Sequence, residues 1–158
     1  MTRLLVCLLL SAALSGCASP YRLVYASDFS FANYDYVVVA KPAGDGHGAL
    51  FGLDIDFANL MGQCNMKVIG DKELATLPPE SQARTLFARL SLVTSDDDSL
   101  ITVSFDDATT GKTVASITGE ADGDMLDSDD RQEAFEAVSQ AIVRAIQRDK
   151  GLTVTDEE

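Results

Sequence analysis

The side chains able to do chemistry are few and scattered. His47 is the single histidine of the 158-residue chain. A Ser-His-Asp hydrolase would have to use it, and a metal site could recruit it. It stands in Gly44-Asp45-Gly46-His47-Gly48, where a lone histidine reads as a solvated loop side chain. No Gly-x-Ser-x-Gly elbow accompanies it. Cys64 is a second nucleophile in principle. It falls on the apolar stripe of a predicted helix, where a free cysteine acts as a small buried hydrophobe. The glycines of the same loop sit between a predicted strand and a predicted helix, as in a dinucleotide-binding unit. Their spacing is Gly-x-Gly-x-Gly, so the third glycine is misplaced. Asp45, Asp54 and Asp56 would put negative charge where phosphates sit. The loop therefore reads as a connector, and no cofactor is expected.

Two acidic runs remain, Asp96-Asp97-Asp98 and Asp122-Gly123-Asp124-Met125-Leu126-Asp127-Ser128-Asp129-Asp130. Calcium needs six to eight oxygens at fixed offsets. Asp122, Asp124 and Glu133 match positions 1, 3 and 12 of an EF-hand loop. Leu126 and Asp127 fail at positions 5 and 6, and the second of these requires glycine. A solvated acidic loop leading into a helix is the expectation, with divalent-cation binding as an alternative and no assigned metal site. A glycosidase-type carboxylate pair depends on spatial separation, and nothing singles one out among 25 acids. His47, Asp96, Asp97, Asp98, Asp122, Asp124 and Asp127 are carried forward as candidate partner or cation contacts. No catalytic residue is assigned.

The first twenty residues carry an address. Met1-Thr2-Arg3 supplies a positive charge, and an apolar run from Leu4 to Leu14 follows. That run is too short for a stable membrane-spanning helix, which needs about 20 residues. A basic start, a short apolar stretch and small residues at its end make a secretory signal peptide. Its end, Leu14-Ser15-Gly16-Cys17, resembles the lipobox of bacterial lipoproteins. The resemblance implies that the Cys17 thiol receives diacylglycerol and that residues 1–16 are removed. Two or three acyl chains, palmitate among them, would give stable anchoring. Ala18 follows, not Asp, which by the same resemblance favours the outer membrane. With Cys7 lost and Cys17 acylated, Cys64 has no intramolecular disulfide partner.

The elements after the anchor are legible from periodicity. Residues 17–33 are expected to be the lipidated cysteine and a tether, with Tyr21–Tyr25 open between strand and tether. A single domain is expected over 34–150, with a loose acidic tail over 151–158. Residues 34–40 read as a strand buried on both faces. Leu53, Phe57, Leu60, Met61 and Cys64 mark one helix face, with Asn65 as its stop. Residues 66–69 complete a β-α-β unit. Strand-like runs at 85–93, 100–105 and 113–118 have short polar links and predict an antiparallel meander. Asp130 with Glu133 has capping-box spacing. Ala134, Val138, Ala141, Ile142, Ala145 and Ile146 then form the stripe of a last helix ending at Gly151. The fold class is α/β (α+β): a mixed sheet of four to five strands with two main helices on one face.

Composition narrows the function classes. Asp and Glu outnumber Lys and Arg by 25 to 12, for a net charge of −13. Such a chain is a poor ligand for nucleic-acid phosphates, so no nucleic-acid partner is expected. The order of elements, with the Asp107-Ala108-Thr109-Thr110-Gly111-Lys112 turn and the Ala/Ile helix, resembles the small α/β lipoproteins of the Gram-negative envelope. That group includes the curli-secretion lipoprotein and the lipoprotein activators of penicillin-binding proteins. The likeness spans roughly residues 34–148. It departs at the acidic first βα loop and offers no pore-forming segment. It implies a periplasmic, lipid-anchored, non-enzymatic interaction or assembly factor with an envelope protein as partner. A small-ligand module and a small hydrolase are the alternatives.

Overall fold

A computed structural model describes residues 21–40, 52–94, 98–122 and 128–151. Six strands form one mixed sheet: β1 (Tyr21–Tyr25), β2 (Tyr36–Val39), β3 (Lys67–Val68), β4 (Thr85–Thr94), β5 (Asp98–Asp107) and β6 (Thr113–Asp122). Their spatial order is β1-β6-β5-β4-β2-β3. The helices are α1 (Leu53–Gln63), the short α2 (Asp71–Leu74) and α3 (Pro79–Gln82), and the long α4 (Ser128–Lys150). The α/β class, the β-α-β unit and the meander stand as the sequence predicts. β3 and β4 each lie parallel to β2, while β4, β5, β6 and β1 pair antiparallel.

The sheet has more strands than the four to five expected, and the cause is at the N-terminus. Residues 21–33 are part of the fold and not a tether. Tyr21–Tyr25 pair along β6, and Phe31 in the following 3-10 turn is fully buried. The Phe31 ring meets Phe105 edge-on at 5.2 Å, and its backbone N–H donates to Asp149 Oδ2 at 2.9 Å. This pins the entry of the chain to the end of the last helix.

Alternation sets the core face of the meander. Leu86, Ala88 and Leu90 of β4, Ile101, Val103 and Phe105 of β5, and Ala115, Ile117 and Ala121 of β6 are all buried. The register sets two large residues of β5 beside small ones. Phe105 lies between Ala88 and Ala115, and Ile101 between Leu92 and Gly119. The opposite face carries hydroxyls, and Thr102 and Thr118 share a 2.9 Å hydrogen bond across it. One packed face and one polar face is the ordinary pattern of an antiparallel sheet.

Both main helices close the core face. Leu53, Phe57, Met61 and Cys64 of the α1 stripe are buried, and Asn65 at φ 57° ends the helix in the left-handed conformation. Asp54 and Asp56 lie in the first turn of α1, where the helix dipole favours acids. α4 buries Ala134, Val138, Ala141, Ile142, Ala145 and Ile146, as its stripe predicts. It begins at Ser128, so Asp130 sits inside the first turn and not at a capping-box N-cap. Arg148 and Lys150 occupy its last turn, and Gly151 follows at φ 65°. α4 comes so close to β6 that a Cβ on Gly119 would stand 2.9 Å from the Val138 backbone nitrogen. Glycine in a strand interior often marks such a backbone approach.

Candidate functional site

One residue from each acidic run, Asp98 and Asp122, meets the other at one end of the sheet. Asp98 opens β5 and Asp122 closes β6, and the two are partners in the strand register. Asp122 and the nearby Glu120 are exposed. α4 starts at this same end, with Asp129 and Asp130 in its first turn. We call this end the acidic pole. Of the candidate contacts, the fold brings together Asp98 and Asp122. Cys17, His47, Asp96, Asp97, Asp124 and Asp127 lie outside the described residues, as does the glycine loop. The EF-hand alternative does not fit the backbone here. Asp122 is a strand residue, and helix begins at the pattern's seventh position, Ser128. Among the described residues, no group of three or more His, Cys, Asp or Glu is placed to hold a metal ion.

The opposite pole is a network of hydrogen bonds. Asp107 Oδ1 accepts from the backbone N–H groups of Thr109 (3.1 Å) and Thr110 (2.8 Å). Gly111 at φ 65° completes the turn, and its N–H donates to the Asp107 carbonyl at 2.8 Å. The Tyr34 hydroxyl donates to Asp107 Oδ2 at 3.1 Å. Burial first, and then the neighbouring Asp107 carboxylate, push the Tyr34 hydroxyl up to about 12. Burial alone would raise Asp107 as well. Hydrogen bonds from Thr110, Tyr34 and Thr109 outweigh it and hold the carboxyl below its ordinary value. Asp106 is buried, accepts from the Thr113 hydroxyl at 2.7 Å and pairs with Arg89 at 2.8 Å. Arg84 makes two hydrogen bonds to Asp35, of 2.5 and 3.0 Å, and lowers the Asp35 carboxyl.

These groups are engaged with one another. Asp107 locks the turn, and Asp106 joins Thr113 of β6 to Arg89 of β4 beside a register shift between Phe105 and Asp106. The sequence shows the turn motif but not these partners. Tyr34 lies far from Asp107 along the chain, and only the fold joins them.

Cys64 lines a cavity of about 230 Å³ between α1 and α4, together with Leu60, Gln63 and Val143. Burial pushes its thiol up, only partly offset by the Lys150 ammonium. That is the opposite of thiolate activation. A second hollow of about 330 Å³ along the same helix pair is lined by Asp56, Asn59, Gln63, Gln132, Glu136 and Ser139. Among the described residues, neither lining includes a histidine or a lysine. Among the described residues, no helix is long and apolar enough to cross a membrane.

No protein-family model matches the chain, and no curated protein matches it. Solved structures are similar in outline. One is a variant PelC dodecamer from Paraburkholderia phytofirmans, at 17% identity over 79% of this chain and 99% of that one, with a TM-score of 0.46. A second PelC dodecamer from the same organism gives 16% identity, covers 81% and 91%, and has a TM-score of 0.38. The lipoprotein GNA1162 from Neisseria meningitidis gives 12% identity, covers 72% and 98%, and has a TM-score of 0.37. At these scores, neither activity nor assembly follows for the present chain.

Proposed function

We propose that the chain is a lipid-anchored envelope lipoprotein, held at the outer membrane through Cys17 with its domain in the periplasm. It acts there as a non-catalytic interaction or assembly factor. One observation carries the reading: the Leu14-Ser15-Gly16-Cys17 motif closes a basic start and a short apolar run, and it stands four residues before the first strand, Tyr21–Tyr25. Ala18 after the cysteine supports the outer membrane. The acidic residues gathered at one pole favour a partner with a basic patch and would speed encounter at low salt. The anchor raises the local concentration of the domain for neighbours at the same membrane.

The test is in-cell crosslinking of a tagged protein with Cys17 intact, followed by mass spectrometry. One dominant envelope protein should be captured, and the combination Asp122→Lys with Asp129→Lys should abolish the capture. Capture that survives the charge reversal would refute the acidic pole as the contact. Absence of any partner, with a saturable thermal shift on adding a cation or metabolite, would favour the ligand-binding alternative.

A further inference from the structure

The sheet ends differently at its two sides. Among the described residues, β3 is one edge strand and β1 the other. Open edges invite pairing with another chain, and proteins blunt them with charge or by keeping them short. β3 is two residues long and carries Lys67. β1 is five residues long, Tyr21-Arg22-Leu23-Val24-Tyr25, with no proline and an unbroken register along β6. Four large hydrophobic side chains stay exposed among the described residues, and Leu23 and Val24, at 37% and 59%, are two of them.

One bond fixes which backbone groups of β1 face outward. The Ala26 N–H donates to the Val114 carbonyl of β6 at 2.9 Å. Antiparallel bonding alternates along a strand, so Val24 and Arg22 also turn their N–H and C=O towards β6. Tyr21, Leu23 and Tyr25 turn theirs to the open edge, and these three positions are symmetric about Leu23. We propose that β1 pairs antiparallel with β1 of a second copy of this chain, about a two-fold axis at Leu23. Leu23 then exchanges both hydrogen bonds with its equivalent, and Tyr21 pairs with Tyr25 on either side. Every outward backbone group of the strand is used, which no shifted two-fold register achieves.

Side chains and charge fit a second copy. Leu23 lies opposite the buried Ile117, on the helix-covered face. There the row Tyr21-Leu23-Tyr25 meets the same row running the other way, and Leu23 covers Leu23. On the opposite face Arg22 stands against Val24, so like charges are not opposed. The chain has a net charge of −13, yet β1 contributes an arginine and no acid. Its neighbours on that face of β6, Ser116 and Thr118, are uncharged. Repulsion between the remaining charges of two copies is screened beyond about 8 Å at physiological ionic strength. α4 leaves room for the contact, because it packs over β6, one strand in from the edge. At about 4.8 Å between strands, the two α4 helices would stand roughly 14 Å apart, wider than the 8–10 Å of helices in contact. The two sheets become one, with both helix layers on the same face.

The test uses the full chain, expressed as two differently tagged copies in one cell. Capture of one tag should bring down the other copy. Leu23→Pro removes only an outward N–H, a place where an edge strand tolerates proline. With that change in both copies, circular dichroism should be kept and co-capture should fall to background. Cysteine pairs under mild oxidation read the register. Leu23→Cys should link to itself, because hydrogen-bonded partners lie about 5.5 Å apart between Cα atoms, within disulfide reach. Val24→Cys should not link to itself across a diagonal of about 7–8 Å, but should link to Arg22→Cys in the other copy. Co-capture that survives Leu23→Pro, or a Leu23→Cys protein that stays monomeric, would overturn the proposal. A Leu23→Cys link to a different protein would overturn it too, and would make this edge the docking strand for a foreign partner.

Discussion

Replacing Gly119 with alanine tests how α4 and β6 are fitted together. A methyl group at this position would overlap the Ala134 backbone carbonyl oxygen and stand 2.9 Å from the Val138 nitrogen and 3.2 Å from its Cβ. The first two obstacles are backbone atoms, so no rotamer change relieves them. α4 must lift from the sheet at Ala134 and Val138, both fully buried. Overpacking of this kind costs about 1–3 kcal/mol, and a blocking backbone puts the cost near the upper end. Alanine recovers roughly 0.5–1 kcal/mol of the conformational penalty of glycine in a strand. The net loss is about 2 kcal/mol. With a urea dependence of about 2 kcal/mol per M, the unfolding midpoint should fall by about 1 M. The assay is urea titration followed by circular dichroism, on the domain without its leader. Gly62→Ala is the control, because nothing lies within 4 Å of a Cβ there. In the helix it should raise stability, by at most about 1 kcal/mol. A Gly119→Ala protein as stable as the parent would refute the close approach of helix and strand.

Other outcomes follow from the packing and the charges. Phe31→Ala should cost about 3–5 kcal/mol in chemical denaturation, whereas a residue in a loose tether would cost nothing measurable. Tyr34→Phe should lose about 1 kcal/mol, the worth of its hydrogen bond to Asp107. Because the Tyr34 pKa is raised to about 12, its stabilisation is whole below pH 10, the ordinary tyrosine value, and is lost as pH rises towards 12. A stability profile in that window should show this loss in the parent and not in Tyr34→Phe. The lowered pKa of Asp35 works in the other direction, with stability present above the ordinary carboxylate range and lost as pH falls through it. Asp35 and Arg84 are about half exposed, so Asp35→Asn should cost no more than about 1 kcal/mol, and less in high salt, by urea titration.

Much of this architecture is written in local pattern. The α4 stripe from Ala134 to Ile146 and the alternation Ile101, Val103, Phe105 each declare a face, and burial follows them. Asn65 and Gly151 end their helices because each adopts a positive φ. What the pattern hides is set by long-range contact. Expected to end at Thr118, β6 runs on to Asp122, because Gly119 answers to a helix and not to strand propensity. β5 likewise starts at Asp98, two residues before its apolar run begins. Tyr21–Tyr25 stay open between strand and tether in the sequence, and Leu23 and Val24 prove to be exposed on an edge strand. The place of residues 21–33 in the fold comes from β6 and from Asp149, distant in sequence. Asp98 and Asp122, more than twenty residues apart, come together only through the β5–β6 register. The pairing of Tyr34 with Asp107 has no sequence signal.

The most direct test of the central claim is the intact mass of the N-terminal peptide of the protein isolated from its own membranes. Acylation predicts that the mature chain begins at Cys17 and carries the mass of a diacylglyceryl group, with or without an amide-linked acyl chain. A Cys17→Ala protein should keep residues 1–16 and carry no lipid. A native chain that begins elsewhere, or begins at Cys17 with a free thiol, would contradict the account.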